Sequence, residues 1–209
     1  MPEQASNRAR IQRWIVENTP EGGRVLDIGC GEGDLLRLLV DERKVRAMGI
    51  ELSEPDVLKA VQKGLTVHHG NVEEGLDHFS NNYFDVVILS LTLQELGSPR
   101  RVLIECFRVG KRVVVVFPNF GYWRARIELG ILGRAPRTGS LPHTWYESPN
   151  RHFLSVVDWE EFCSQEGWRI ADRAFLSAGR SIKVLPNLRA EVAMYLLEPT
   201  IPRPHTPKE

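Results

Sequence analysis

Short apolar runs recur along the first 117 residues, each separated from the next by an amphipathic stretch or a turn. Residues 24–28 (RVLDI), 45–51, 65–68, 84–91 (FDVVILSL) and 112–117 (RVVVVF) read as strands. The last two are apolar almost throughout, as expected of strands covered on both faces. Between them, residues 34–40 place Leu35, Leu38 and Leu39 on one side of a helix, residues 55–63 form a helix with proline in its first turn, and residues 99–107 form another. Ahead of all of these, residues 8–17 put Ile11, Trp14 and Ile15 on one helical face. Strand–helix alternation with apolar strands predicts an α/β fold of three layers, a mostly parallel sheet between helices.

The alternation breaks at residue 119. Residues 119–155 are rich in Gly, Pro, Arg and aromatics and are too long for a plain crossover, so they read as an insertion that serves as a lid or binding element. Residues 157–167 then read as a helix, and 169–176 and 191–197 as strands forming an antiparallel hairpin. The tail, 199–209, holds four prolines in eleven residues and is expected to be flexible. The expectation is one domain over residues 1–198.

Charge changes this picture. The formal net charge is zero, but residues 21–99 carry seven Lys/Arg against fourteen Asp/Glu, and residues 100–209 carry seventeen against eleven. Only three of those seventeen cations are lysines, and an arginine excess favours fork-like recognition of carboxylate or phosphate. Three widely spaced cysteines without a CxxC pair fit a reducing cytoplasm and no disulfide framework. No apolar stretch approaches the roughly 20 residues of a membrane span.

The chemistry concentrates in the turn after the first strand, Val25-Leu-Asp-Ile-Gly-Cys-Gly-Glu-Gly33. Its glycines let a ligand approach the main chain, and the helix that follows offers free N–H groups. A dinucleotide fingerprint needs Gly or Ala at position 34, where this chain has Asp34, so the spacing argues against NAD or FAD. Cys30 reads as a small filler of the turn, because the sequence supplies no base to activate it. The second strand ends in Gly49-Ile-Glu51.

A D-x-G-x-G-x-G turn followed by an acid at the end of strand two resembles the class I S-adenosylmethionine-dependent methyltransferases. The resemblance implies a Rossmann-like methyltransferase fold with a seven-stranded sheet and an antiparallel C-terminal strand. It implies S-adenosylmethionine or S-adenosylhomocysteine as cofactor. Asp27, Gly29 and Gly31 would form the amino-acid end of the site and Glu51 the ribose ligand, with Cys30, Gly33 and Val72 also among the cofactor-binding residues. Leu52 and Asn71 would meet the adenine, with Asn71 standing where relatives often have Asp, and Ser90 would flank the sulfonium.

Three further motifs carry a closer resemblance: Ser90-x-Thr-Leu-Gln94, Phe117-Pro-Asn-Phe-Gly121 and Leu141-Pro-x-x-Trp-Tyr-x-x-Pro-Asn-x-His152. Together they are similar to the MetW family of methionine-biosynthesis proteins. That similarity implies an accessory role beside homoserine O-acyltransferase, with the Arg/aromatic insertion as the protein-docking face. It names no methyl acceptor, so turnover stays open. The rival reading is a methyltransferase acting on a small metabolite, with Glu95, Tyr146, His143 or His152 as acid/base or acceptor-binding groups. RNA modification ranks last, because the acidic half would repel a phosphate backbone. No metal is expected: His143 and His152 lack a third ligand at suitable spacing.

Overall fold

Val113–Pro118 is buried at every position and pairs with a strand on each side, so its alternate residues face two separate cores. Val113, Val115 and Phe117 pack with Val102, Cys106 and Trp159 on one face. Val114 and Val116 pack with Ile11, Ile15, Leu35 and Leu39 on the other. An unbroken valine run therefore needs helices on both sides, and the chain supplies them.

The computed structural model describes residues 2–199. It runs α1 (Pro2–Asn18), β1 (Arg24–Ile28), α2 (Asp34–Arg43), β2 (Arg46–Glu51), α3 (Glu54–Gln62), β3 (Thr66–His69), β4 (Val86–Ser90), α4 (Pro99–Val109), β5 (Val113–Pro118), α5 (Trp123–Gly130), α6 (Val156–Glu166), β6 (Arg169–Ser177), β7 (Arg180–Ser181), α7 (Pro186–Arg189) and β8 (Val192–Glu198). The strand order is β3-β2-β1-β4-β5-β8-β6-β7. Strands β1 to β5 are parallel, and β8 runs antiparallel between β5 and β6. This is the expected three-layer α/β/α arrangement.

The sheet has eight strands rather than seven. The extra one, β7, is two exposed residues that turn back on β6 through Ala178 and Gly179. The insertion is not wholly irregular either, since α5 lies within it. WRARIELG buries only Ala125, so no apolar face announced that helix. The expected tail lies, from residue 200 on, outside the described residues. No helix among the described residues is long and apolar enough to cross a membrane.

Strand order reverses at β1, with β2 on one side and β4 on the other. The chain therefore leaves β1 and β4 in opposite directions and opens a crevice at their C-terminal ends, where ligands of such sheets bind.

Candidate functional site

A cleft of about 610 Å³ occupies that crevice, within the range of small-molecule sites. Its walls include α1 through Asn7, Arg8 and Ile11; the turn after β1 through Asp27, Gly29, Cys30 and Gly31; the starts of α2 and α3 through Asp34 and Asp56; Ser90, Leu91, Gln94 and Glu95 at and after the end of β4; and the insertion through Ser140, Pro142, His143 and Asn150. The contribution of α1 was not foreseen. Its clearest signal was Asn7, a residue that competes with the backbone inside a helix unless its amide is used elsewhere. Here the buried Asn7 accepts the Gly179 N–H at 2.7 Å and donates to Glu191 at 3.3 Å, pinning α1 over the cleft.

The turn after β1 is built by close contacts. Gly29 has φ 70°, and a Cβ there would lie 2.5 Å from Thr92 Oγ1, which donates to the Ile28 carbonyl at 3.0 Å. Gly33, also at positive φ, backs onto Leu65 and starts α2, so it serves helix packing and does not line the cleft. At Gly31 (φ 53°) a Cβ would meet nothing within 4 Å. That is the open face of the turn.

Glu51 closes the turn from the side. One carboxylate oxygen accepts the Gly31 N–H at 2.8 Å, and the other accepts the Leu52 and Ser53 N–H groups, each at 2.8 Å. Asp27 is 2% exposed, and its Oδ1 has no hydrogen-bond partner among the described residues. Burial, reinforced by the Glu51 charge, raises its pKa to about 8, so the carboxyl is mostly protonated at neutral pH. Burial beside Asp27 and Glu51 likewise raises the Cys30 thiol to about 12. Its sulfur packs where a Gly49 Cβ would sit, so Cys30 is a filler and not a nucleophile at neutral pH.

The remaining sequence-derived candidates divide. Ser90 lines the cleft. Leu52 is two-thirds exposed and does not line the cleft, and Asn71 and Val72 line a separate depression with Ile50 and His68. The Asn71 side chain caps a short helical turn by accepting the Glu73 N–H at 3.0 Å. Glu95 and His143 both line the cleft, whereas Tyr146 and His152 do not. Burial raises the Glu95 pKa and the Glu51 charge adds to the rise, while His143 opposes it. Among the described residues no group of three or more His, Cys, Asp or Glu is arranged to hold a metal ion.

One residue of the Phe117–Gly121 motif, to which the sequence reading gave no individual role, organises the insertion. Asn119, wholly buried, donates to the Ala190 and Asn187 carbonyls at 2.8 and 3.0 Å. Its oxygen accepts from Gly121 at 2.9 Å and Val156 at 3.3 Å, where the insertion begins and ends. Ser155 and Asp158 then form a capping box that starts α6. Tyr122, Ala125 and Leu141 bury the underside of the insertion.

The family model described as methionine biosynthesis protein MetW matches residues 8–197, from α1 through β8. The chain belongs to the MetW family. It is 32% identical over 193 residues to the bifunctional methionine biosynthesis protein MetXA/MetW of Rhodopirellula baltica. That match covers 86% of this chain and 31% of the relative, so this MetW-family chain spans about a third of the bifunctional protein's length. It is 24% identical over 202 residues to carboxy-S-adenosyl-L-methionine synthase of Campylobacter lari, covering 78% of this chain and 84% of that one. Among solved structures, a SAM-dependent methyltransferase from Archaeoglobus fulgidus aligns with TM-score 0.68 at 18% identity, over 94% of both chains. At that identity the match establishes the methyltransferase fold alone.

Proposed function

We propose that this MetW-family chain binds S-adenosylmethionine or S-adenosylhomocysteine in the cleft and acts as an accessory partner of homoserine O-acyltransferase in methionine synthesis. The cleft fits the cofactor on two counts. The open face of Gly31 leaves room for close approach, and the buried, unpartnered Asp27 Oδ1 suits the ammonium of the amino-acid end. Asp27, Gly29, Cys30 and Gly31 would hold that end, Glu51 the ribose, Leu52, Asn71 and Val72 the adenine, and Ser90 would lie beside the sulfur. When bound, S-adenosylmethionine supplies an electrophilic methyl group on a sulfonium.

The bifunctional MetXA/MetW relative carries the partner assignment, because there a MetW part shares one chain with a MetXA part. The surface of the insertion supports it. Ile131 is 76% exposed, Trp145 79% and Tyr146 68%, with Leu129, Leu132 and Phe153 also exposed. Trp, Tyr and Arg are the usual anchors of protein interfaces. The test is affinity capture of the acyltransferase on this chain from lysate, followed by the acyltransferase rate with and without it. Capture and a changed rate support the reading, and absence of both overturns it.

A second reading, methyl transfer to a small molecule, draws on Glu95 and His143 standing together in the cleft. Labelled S-adenosylmethionine incubated with a metabolite extract tests it, and a labelled product would establish turnover.

A further inference from the structure

Beyond the glycine turn, the segment after β4 and the insertion wall an outer half of the cleft, and most of its polar groups are not used by the cofactor reading. Gln94 is 3% exposed and lines this half. Its Nε2 donates to the Leu91 carbonyl at 2.5 Å, which fixes the amide orientation, since the reverse would set two oxygens against each other. Leu91 holds the left-handed conformation (φ 62°) that an L side chain rarely adopts. The main-chain oxygen of Gln94 accepts from Arg151 and His152 at 2.8 and 3.0 Å, so the residue is fastened from both sides. Its side-chain Oε1 is nevertheless buried without a partner among the described residues. Leaving a polar atom so costs stability unless something else uses it.

The neighbouring charges point the same way. The wall carboxylates Glu32, Asp34 and Asp56 are neutralised by Lys59, Lys63 and Arg8. Glu95, adjacent to Gln94, forms no ion pair among the described residues, is exposed, and lines the cleft as His143 does. Gln94 and Glu95 thus offer, side by side in this half of the cleft, a buried amide oxygen and an accessible carboxylate, both acceptors. Its complement is a group with several N–H donors and a positive charge.

We propose that the outer half of the cleft binds a small molecule through a primary ammonium group, held by Gln94 Oε1 and the Glu95 carboxylate. The proposal rests on the reading that the glycine-turn half takes the cofactor, which leaves the outer half for a second ligand. An amine bound there would couple cofactor and metabolite within one cleft, whether it is a methyl acceptor or only sensed.

Calorimetry on the full chain saturated with S-adenosylhomocysteine tests this. The probes are free L-amino acids and 1,4-diaminobutane, each against its counterpart with hydroxyl in place of amine. The expected result is that at least one amine binds, and that its hydroxyl counterpart binds about tenfold more weakly or worse, as loss of a charged hydrogen bond implies. Glu95→Gln should weaken that amine by about tenfold without a comparable change in S-adenosylhomocysteine affinity or melting temperature, and Gln94→Met should weaken it by a similar factor while also lowering the melting temperature through the lost bond to Leu91. Equal binding of amines and alcohols, no amine binding at all, or an amine indifferent to Glu95→Gln overturns the proposal. If S-adenosylhomocysteine itself does not bind, the cofactor reading fails. The same titrations on the free chain then decide this proposal by the same criteria.

Discussion

The carboxylate of Glu51 accepts the Gly31 N–H at 2.8 Å, tying the end of β2 to the tip of the turn after β1. With its other oxygen taken by Leu52 and Ser53, Glu51 can receive both hydroxyls of a ribose only by sharing or releasing Gly31. Ribose binding and the shape of the turn are therefore coupled. Glu51→Ala should weaken S-adenosylhomocysteine binding by about 1.5–3 kcal/mol, read by calorimetry, and Glu51→Gln should lose less because one acceptor oxygen remains. Unchanged affinity in Glu51→Ala would remove Glu51 from the site.

Gly29 and Gly31 differ in what they serve, although both have positive φ. Gly29→Ala combines a left-handed alanine with a collision against Thr92, and should cost about 2–4 kcal/mol of stability. Gly31→Ala carries only the backbone term, about 1–2 kcal/mol, but fills the open face where a ligand approaches. Denaturant melts and cofactor titrations should thus rank the two variants oppositely. A Gly31→Ala chain that binds cofactor normally would show that no ligand reaches that face.

Asp27 sets a pH dependence. The folded chain holds its proton up to about pH 8, against 3.8 for the ordinary group. Stability from this group is fully present below 3.8 and is lost progressively as pH rises towards 8, because unfolding releases the proton. Asp27→Asn removes that loss. Its stability advantage over the native chain should grow between pH 5 and 8 and reach at least about 1 kcal/mol, a rise in Tm of about 2–4 °C. Parallel Tm curves for the two proteins would mean that Asp27 is ionised when folded.

Ile131, Trp145 and Tyr146 are exposed enough for truncation to leave the fold nearly untouched. Ile131→Ser, Trp145→Ala and Tyr146→Ala should each shift stability by no more than about 0.5 kcal/mol. At least one should cost about 2 kcal/mol or more of acyltransferase affinity, as truncated interface anchors do. Full capture by the triple variant would move the docking face away from the insertion.

The parts of this fold that repeat a simple period were legible from the residues. Val86–Ser90 and Val113–Pro118 stood out because strands buried on both faces are apolar at nearly every position. The glycine turn and Glu51 were legible because their spacing is local. What was missed depends on partners distant in sequence. Thr92 packs on Gly29 across 63 positions, Asn7 reaches Gly179 across 172, and Asn119 binds Ala190 across 71. No local pattern encodes such pairs. Helix α5 escaped for another reason: its apolar residues Ile127 and Leu129 face outward, so its periodicity does not mark a core.

Asn119 gathers the first and last turns of the insertion onto a single amide while also gripping the chain just ahead of β8. A segment whose two ends share one anchor behaves as a cassette. Its length, its aromatics and its arginines can change without altering the register of β5 against β8. One lineage could thus retune which protein or metabolite it meets while keeping the same cofactor cleft underneath.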